Sequence, residues 1–307
     1  MNESELLEKV LKLCEESYDK GYRYLLKERK KLPGGGSGQV VYFLLCLSAG
    51  DGKTEQAMEY VREAESRKLW FRKEALEDGD LEELSGIPEY EAFLRHSAER
   101  EAEAFSRSAT VCTFQRKRKD RLLLCLHGNG ETAESAISDW KAVLGDPEGW
   151  QIEGIQSGRP HDNDTFRWED NDEDYRQLEK VLGKLPLTDF EKVVLCGFPA
   201  GCNMILECMD RSKVKCDGIV LQSPWIPYAM RDPGVFARGF AREYKGIRIR
   251  IACGTGDEDC FGSAEEFAAR MQDAGTDTVF LRQNGNMHCF PQAADDILGI
   301  RKEFTRL

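Results

Sequence analysis

The 307-residue sequence has no apolar run of about 18 residues, so no stretch of it reads as a membrane-crossing helix. It also lacks an apolar signal core, because its first residues, MNESELLEKVLKLCEES, form a charged amphipathic pattern. A cytoplasmic protein without a membrane partner is expected. Excess positive charge is missing too. Lys and Arg number 43 against 55 Asp and Glu, a formal net charge of −12, which argues against nucleic acid as a partner because phosphate binding needs a basic patch. The one basic cluster, Gln115-Arg116-Lys117-Arg118-Lys119, is short and reads as a hairpin turn. No two of the eleven cysteines have C-x-x-C spacing, and Cys46, Cys125, Cys196 and Cys253 lie inside apolar runs. They read as small buried hydrophobes in a reducing compartment.

What is present falls into two patterns that change near residue 107. Before it, apolar residues recur at helical spacing, as in Leu6, Leu7, Val10 and Leu11, and later in Ala57, Met58, Tyr60 and Val61. The stretch from Val40 to Trp70 reads as a helix, a Gly-Asp-Gly turn and an antiparallel helix, a tetratricopeptide-type hairpin. One such hairpin is too few for a solenoid, so residues 1–107 are expected to form a helical accessory domain. Gly52-Lys53-Thr54 there looks like the end of a phosphate-binding loop. Leu47 stands where the first glycine belongs and no strand precedes it, so it reads as a turn.

Residues 108–307 alternate strands and helices. Strands are expected at Ala109–Phe114, Leu122–Leu126, Trp150–Ile155, Lys192–Cys196, Gly218–Gln222, Ile247–Cys253 and Thr278–Arg282. Helices are expected at Ala133–Val143, Asp172–Leu182, Ala200–Arg211, Ser263–Ala274 and Pro291–Thr305. This implies an α/β fold: a mostly parallel sheet with helices on both faces and ligands at the carboxyl ends of its strands. The first two strands are also compatible with an antiparallel hairpin at the sheet edge.

Four segments stand at those strand ends. Leu122–Leu126 runs into His127-Gly128-Asn129-Gly130. Lys192–Cys196 runs into Gly197-Phe198-Pro199-Ala200-Gly201. Ile247–Cys253 precedes Gly254-Thr255-Gly256-Asp257, and Thr278–Arg282 precedes Gly285-Asn286-Met287-His288-Cys289-Phe290-Pro291. Together and in this order, residues 108–307 resemble the small carboxylesterase and lysophospholipase-type branch of the α/β-hydrolases. The resemblance implies an α/β-hydrolase sheet, a G-x-S-x-G elbow at 197–201, His288 as the catalytic histidine and Asp257 as its acid, with Asp259 as the alternative acid. It also implies an oxyanion hole made by the N–H groups of Asn129 and Ala200, and a pocket to which His127, Gly128, Cys202 and Ser223 belong. Trp168 is open to two readings, a liner of an acyl or aromatic group or a packing tryptophan.

The serine of the elbow is absent. Pro199 stands in its place, removes the hydroxyl, and fixes φ near about −65°, whereas the family's nucleophile sits at positive φ. Cys202, at a helix start, and Ser223, after a neighbouring strand, are the substitute nucleophiles, each set against a structural reading as a buried thiol or a strand-end polar group. The oxygen-rich stretches His161-Asp162-Asn163-Asp164 and Asp170–Asp174 lack calcium-loop spacing and read as solvated acidic loops. No metal and no cofactor are expected. The expected ligand is a small ester or acyl compound, with the helical domain as a surface for a protein partner. Two functions remain open: an ester hydrolase, or a pseudoenzyme that binds without turnover.

Overall fold

The computed structural model describes residues 3–115, 117, 119–145 and 147–307. Arg116 and Arg118 of the basic cluster lie outside the described residues, so the hairpin turn expected there is not described. The chain divides into two compact units, Met1–Arg107 with Pro160–Asp164, and Ser108–Arg159 with Thr165–Leu307. None of the described helices is long and apolar enough to cross a membrane.

The first unit contains helices α1 (Glu3–Cys14), α2 (Tyr18–Glu28), α3 (Gly38–Gly50), α4 (Thr54–Ser66), α5 (Lys73–Leu76) and α6 (Pro88–Arg107). Helix α3 is apolar around much of its circumference because it is the centre of this core, with Val40, Val41, Leu44 and Leu45 fully buried. The turn between α3 and α4 is closed by Gly52 at φ 71° and by the Lys53 N–H donating to Ser48 O at 2.9 Å. The Lys53 ammonium pairs with Asp19 at 2.9 Å and Asp51 at 2.7 Å, so the loop that resembles a phosphate cradle spends its cation internally. The stretch His161–Asp164 is not the solvated loop expected. It folds with the helices, where Gln39 Nε2 donates to Asp162 Oδ2 at 3.3 Å and Asn163 Nδ2 donates to Trp70 O at 3.2 Å.

The second unit carries the strands, β1 (Val111–Cys112), β2 (Arg121–Leu126), β3 (Trp150–Gln156), β4 (Arg159–Pro160, of which Pro160 falls to the first unit), β5 (Phe166–Arg167), β6 (Lys192–Gly197), β7 (Gly218–Gln222), β8 (Arg248–Gly254) and β9 (Asp277–Gln283). Its main sheet has the order β1-β3-β2-β6-β7-β8-β9, and every pairing but β1 with β3 is parallel. Strands β2, β6 and β7 read as near-continuous apolar runs because both faces are covered. Helices α8 (Asp172–Leu182), α9 (Ala200–Ser212), α11 (Pro233–Glu243) and α12 (Phe261–Asp273) pack on the face carrying Leu122, Leu124 and Leu126. Helices α7 (Ala133–Leu144) and α13 (Ala294–Phe304) pack on the face of Leu123 and Cys125. A short helix, α10 (Pro227–Met230), precedes α11.

Three expectations about this unit are corrected. The edge hairpin does not form: β2 is flanked by β3 and β6, so β1 pairs with β3 instead, Val111 opposite Gln156 and Cys112 opposite Ile155. The strand expected over Ala109–Phe114 shortens to two residues, since Thr113 Oγ1 takes the Gly154 N–H at 3.0 Å in place of a continued ladder. The run Asp170–Asp174 is likewise not a solvated loop. Asn171 caps α8 by accepting from Asp174 N, and the buried Asp174 accepts from Arg159 at 2.9 Å.

Because β3 lies on one side of β2 and β6 on the other, the chain reverses direction across the sheet between β2 and β6. A crevice opens at the carboxyl ends of strands at such a switch point. Leu126 and Gly197 are register partners there, which sets the HGNG segment beside the elbow. The elbow is also where backbones approach most closely: a Cβ at Gly201 would lie 2.4 Å from Leu126 O, and one at Gly197 2.7 Å from Cys202 N. Both contacts are to backbone and cannot yield by a rotamer change. Gly201→Ala and Gly197→Ala are each expected to destabilise the protein by about 1–3 kcal/mol, read from urea melts. Unchanged midpoints would show that α9 is free to lift from the sheet.

Candidate active site

Asp257 stands in the turn that leaves β8, and α12 begins four residues after it. Its carboxylate is 2 % exposed and accepts from Cys260 N at 3.1 Å through Oδ1 and from His288 Nδ1 at 2.9 Å through Oδ2. Asp259, the alternative acid, is exposed. The loop bearing His288 passes directly over Gly254, where a Cβ would lie 2.1 Å from Asn286 O, and Gly256 N donates to that same oxygen at 2.9 Å. The G-x-G-D spacing therefore lets the two loops meet.

Residues that the sequence reading passed over hold this geometry. Gln222 and Gln283, at the ends of β7 and β9, donate reciprocally through Nε2 at 3.0 and 3.1 Å. Gln222 Nε2 also reaches Cys289 O at 3.0 Å, and Gln283 Oε1 accepts from Asn286 Nδ2 at 3.0 Å. Two glutamines at the last position of their strands, GIVLQ and DTVFLRQ, were the signal. With Nδ1 engaged by Asp257, the His288 Nε2 is the nitrogen left for a substrate or water. The ring is 41 % exposed and lies against Phe198, centroids 5.5 Å apart.

The elbow itself is relaxed. Pro199 adopts φ −73° and ψ −39°, ordinary right-handed geometry, and α9 starts at the next residue. Its carbonyl accepts from Cys202 N at 3.1 Å and Trp225 N at 3.2 Å. The backbone N–H groups of Asn129 and Ala200 have no acceptor among the described residues. The Asn129 side chain is used structurally, Oδ1 accepting from Trp168 N at 2.8 Å.

Neither substitute nucleophile is set up for attack. Cys202 is fully buried, its Sγ directed at Gln222 O at 3.7 Å, and burial raises its pKa well above the usual thiol value, the opposite of activation at a helix start. Ser223 is fully buried in left-handed geometry at φ 43°, its N–H on Ala252 O at 2.8 Å and its Oγ accepting from Gln222 Nε2 at 3.3 Å. His127 and Trp168 are not pocket liners either. Both are buried and stacked with centroids 5.3 Å apart. His127 Nδ1 donates to Gly128 O at 2.6 Å, and Nε2 accepts from Ser157 N at 3.0 Å. Burial holds this imidazole at a pKa of about 4, so it is a neutral tie between β2 and the segment after β3. Asp257, Cys260 and His288 present ligand-type atoms within 4.8 Å of one another. The Cys260 thiol is pushed up to about 12 by burial and by the Asp257 charge, so it carries its proton.

One acidic group enters the elbow that the sequence reading had not singled out. Glu131 Oε2 accepts from Gly128 N at 2.7 Å. A Cβ on Gly128 would lie 3.2 Å from that oxygen and 2.5 Å from Pro199 Cδ, so carboxylate and proline ring crowd the same point. Burial pushes the Glu131 carboxyl up to about 7, the Gly128 amide opposing and the Asp139 charge adding to the shift. The unfolded chain releases this proton near 4.5 and the folded chain holds it to about 7, so stability falls as pH rises through that window. Glu131→Gln keeps an acceptor for Gly128 and removes the titration. It is expected to gain on the order of 1–2 kcal/mol over the natural protein between pH 5 and pH 8, since each pKa unit is worth about 1.4 kcal/mol and residual hydration reduces the total. Urea melts at both pH values measure it, and an equal difference at the two would refute the shift.

Residues 2–105 match the family model of the A/B hydrolase-like N-terminal domain. No curated protein matches the chain. A crystal structure of an uncharacterized protein from Bacillus cereus ATCC 10987 is similar over 100 % of this chain and 98 % of its own, with 24 % identity and a TM-score of 0.55. The crystal structure of esterase PE8 is similar over 65 % of this chain and 98 % of its own, with 16 % identity and a TM-score of 0.50. With the sheet order described above, these likenesses show an α/β-hydrolase fold for the sheet unit, and residues 2–105 are similar to the A/B hydrolase-like N-terminal domain.

Proposed function

We propose that this protein hydrolyses small acyl or aromatic esters by general-base catalysis on water, without an acyl-enzyme. The observation that carries the reading is the coexistence of a hydrogen-bonded His288–Asp257 pair at 2.9 Å with an elbow residue that has no nucleophile. His288 Nε2 takes a proton from water as the water oxygen bonds to the ester carbonyl carbon. Asp257 holds the ring in the tautomer that leaves Nε2 free to accept, and stabilises the imidazolium. The tetrahedral oxyanion is met by the Asn129 and Ala200 N–H groups, and the proton returns from His288 to the leaving alkoxide as the C–O bond breaks. Esters with good leaving groups suit this route best, since water is a weaker nucleophile than an activated serine.

A second reading, binding without turnover, is favoured by one observation: the Glu131 carboxylate and the Pro199 ring crowd the space beside Gly128. The two readings separate on short-chain p-nitrophenyl esters. The hydrolase reading expects turnover without a burst, no labelling by a fluorophosphonate, and a fall of about 100-fold in His288→Ala. Pro199→Ser is expected to gain both a burst and labelling. Hydrolysis equal in the natural protein and His288→Ala would exclude the catalytic role of the pair and leave the binding reading.

A further inference from the structure

The helical unit contains a cavity of about 220 Å³ whose walls are Tyr42, Phe43, Phe71 and Ala75. The rings surround a gap rather than close it. Tyr42 lies 5.2 Å from Phe71 and 6.5 Å from Phe43, centroid to centroid, with interplanar angles of 52° and 80°. Tyr42 is held back by its hydroxyl, which donates to Ala75 O at 2.9 Å, so it cannot swing inward without losing that bond. Protein interiors are packed like organic crystals, and a cavity of about 150 Å³ lined by apolar side chains is enough to take up benzene. A space of this size accepts one six-membered ring with a substituent. Gln39, Arg72, His161 and Asp162 complete the wall with polar groups, and the Gln39 amide donates to the Asp162 carboxylate at 3.3 Å.

His161 and Asp162 belong to the short segment that folds with the helices, and the chain on either side of it secures the HGNG loop. Upstream, Ser157 N donates to His127 Nε2 at 3.0 Å. Downstream, Phe166 N donates to Glu131 O and Gly130 N donates to Phe166 O, each at 2.9 Å, while Trp168 N donates to Asn129 Oδ1 at 2.8 Å. Only three residues, Asn163 to Thr165, separate the cavity wall from the first of these bonds. A ligand that fixes Asp162 therefore restrains the chain that holds the loop bearing the Asn129 amide.

We propose that this cavity is an effector site for a single-ring aromatic molecule carrying one hydrogen-bonding substituent, and that its occupancy is transmitted through residues 161–168 to Asn129–Glu131. The ring stacks edge-to-face among Tyr42, Phe43 and Phe71, the arrangement aromatic quadrupoles favour, and the substituent meets the Gln39–Asp162 side. Binding at one end and ordering at the other are reciprocal, so a ligand held at the sheet end tightens the cavity by the same factor.

The test needs no turnover and so stands apart from the reading of the sheet end. Phenol is titrated into the full chain by saturation-transfer NMR, with cyclohexanol as a control of the same size and hydroxyl but no aromatic face. Phenol is expected to bind saturably, and cyclohexanol at least ten-fold more weakly. Ala75→Phe, which fills the cavity, and Phe43→Ala, which removes a wall, are each expected to weaken phenol at least ten-fold, whereas His288→Ala leaves it unchanged. Amide hydrogen exchange at Gly130 and Phe166 is expected to slow at least two-fold with phenol in the natural protein and not in Ala75→Phe. No saturable binding, equal binding in both cavity variants, or loss of binding in His288→Ala would overturn the site. Saturable binding with unchanged exchange at Gly130 and Phe166 would overturn the coupling.

Discussion

The sheet end depends on how closely helix α9 can sit against strand β2. At Gly201 the approach is set by the Leu126 carbonyl, with no room for a methyl group. That contact places the α9 N-terminus beside the carboxyl end of β2, and the parallel register of Leu126 with Gly197 does the rest. The HGNG segment, the elbow and the first amides of α9 then converge on the switch point whatever side chain stands at position 199. The frame around Pro199 is therefore held by backbone contacts in which the side chain at 199 takes no part.

The second device is polar and lies across β7, β8 and β9. Asp257 is buried at a strand end with its oxygens used by Cys260 N and His288 Nδ1. The Gln222–Gln283 pair links the ends of two strands that are not neighbours, with β8 between them. A buried amide pair of this kind is stabilising when its remaining donors and acceptors find partners, and here Gln222 Nε2 also reaches Cys289 O and Gln283 Oε1 accepts from Asn286 Nδ2, both on the His288 loop. His288 can then be solvent-facing and still have a fixed ring plane.

Much of this was legible in the sequence because parallel strands buried on both faces write themselves as apolar runs, and β2, β6 and β7 do so. The acid and the histidine were legible because glycines must surround them: Gly254 and Gly256 let the His288 loop cross. What was not legible follows from the same physics. Helices α10 and α11 were missed because Gly234, Gly239 and two arginines blur the period, although Asp232 as a cap followed by Pro233 was a start signal. The edge strand was overextended because a Thr113 side chain takes over a ladder bond. His127 and Trp168 suggested a pocket because polar and aromatic residues near a glycine loop do so in sequence, and only burial distinguishes a stacked structural pair from a liner. The segment at 161–164 appeared solvated from its composition, since partners more than ninety residues away, such as Trp70, leave no local trace.

Where the elbow's strain went is the remaining question. A family nucleophile at positive φ is held there by its surroundings, and Pro199 at φ −73° carries none of that strain. Among the described residues, the non-glycine residues at positive φ are Lys68, Lys213 and Ser223, and only Ser223 stands at the carboxyl end of a strand in the sheet. Its N–H is fixed on Ala252 and the preceding Gln222 is fixed on Gln283, so its left-handed turn is imposed by the polar lattice that positions His288 rather than by an elbow. The relaxed elbow also brings the proline ring to Gly128, beside the oxygen of Glu131 that receives the Gly128 amide. Position 199 thus offers the crevice no hydroxyl, and a titratable carboxyl stands next to its ring. The His288–Asp257 pair is anchored on other strands than the elbow, which is what supports the proposal that it directs water.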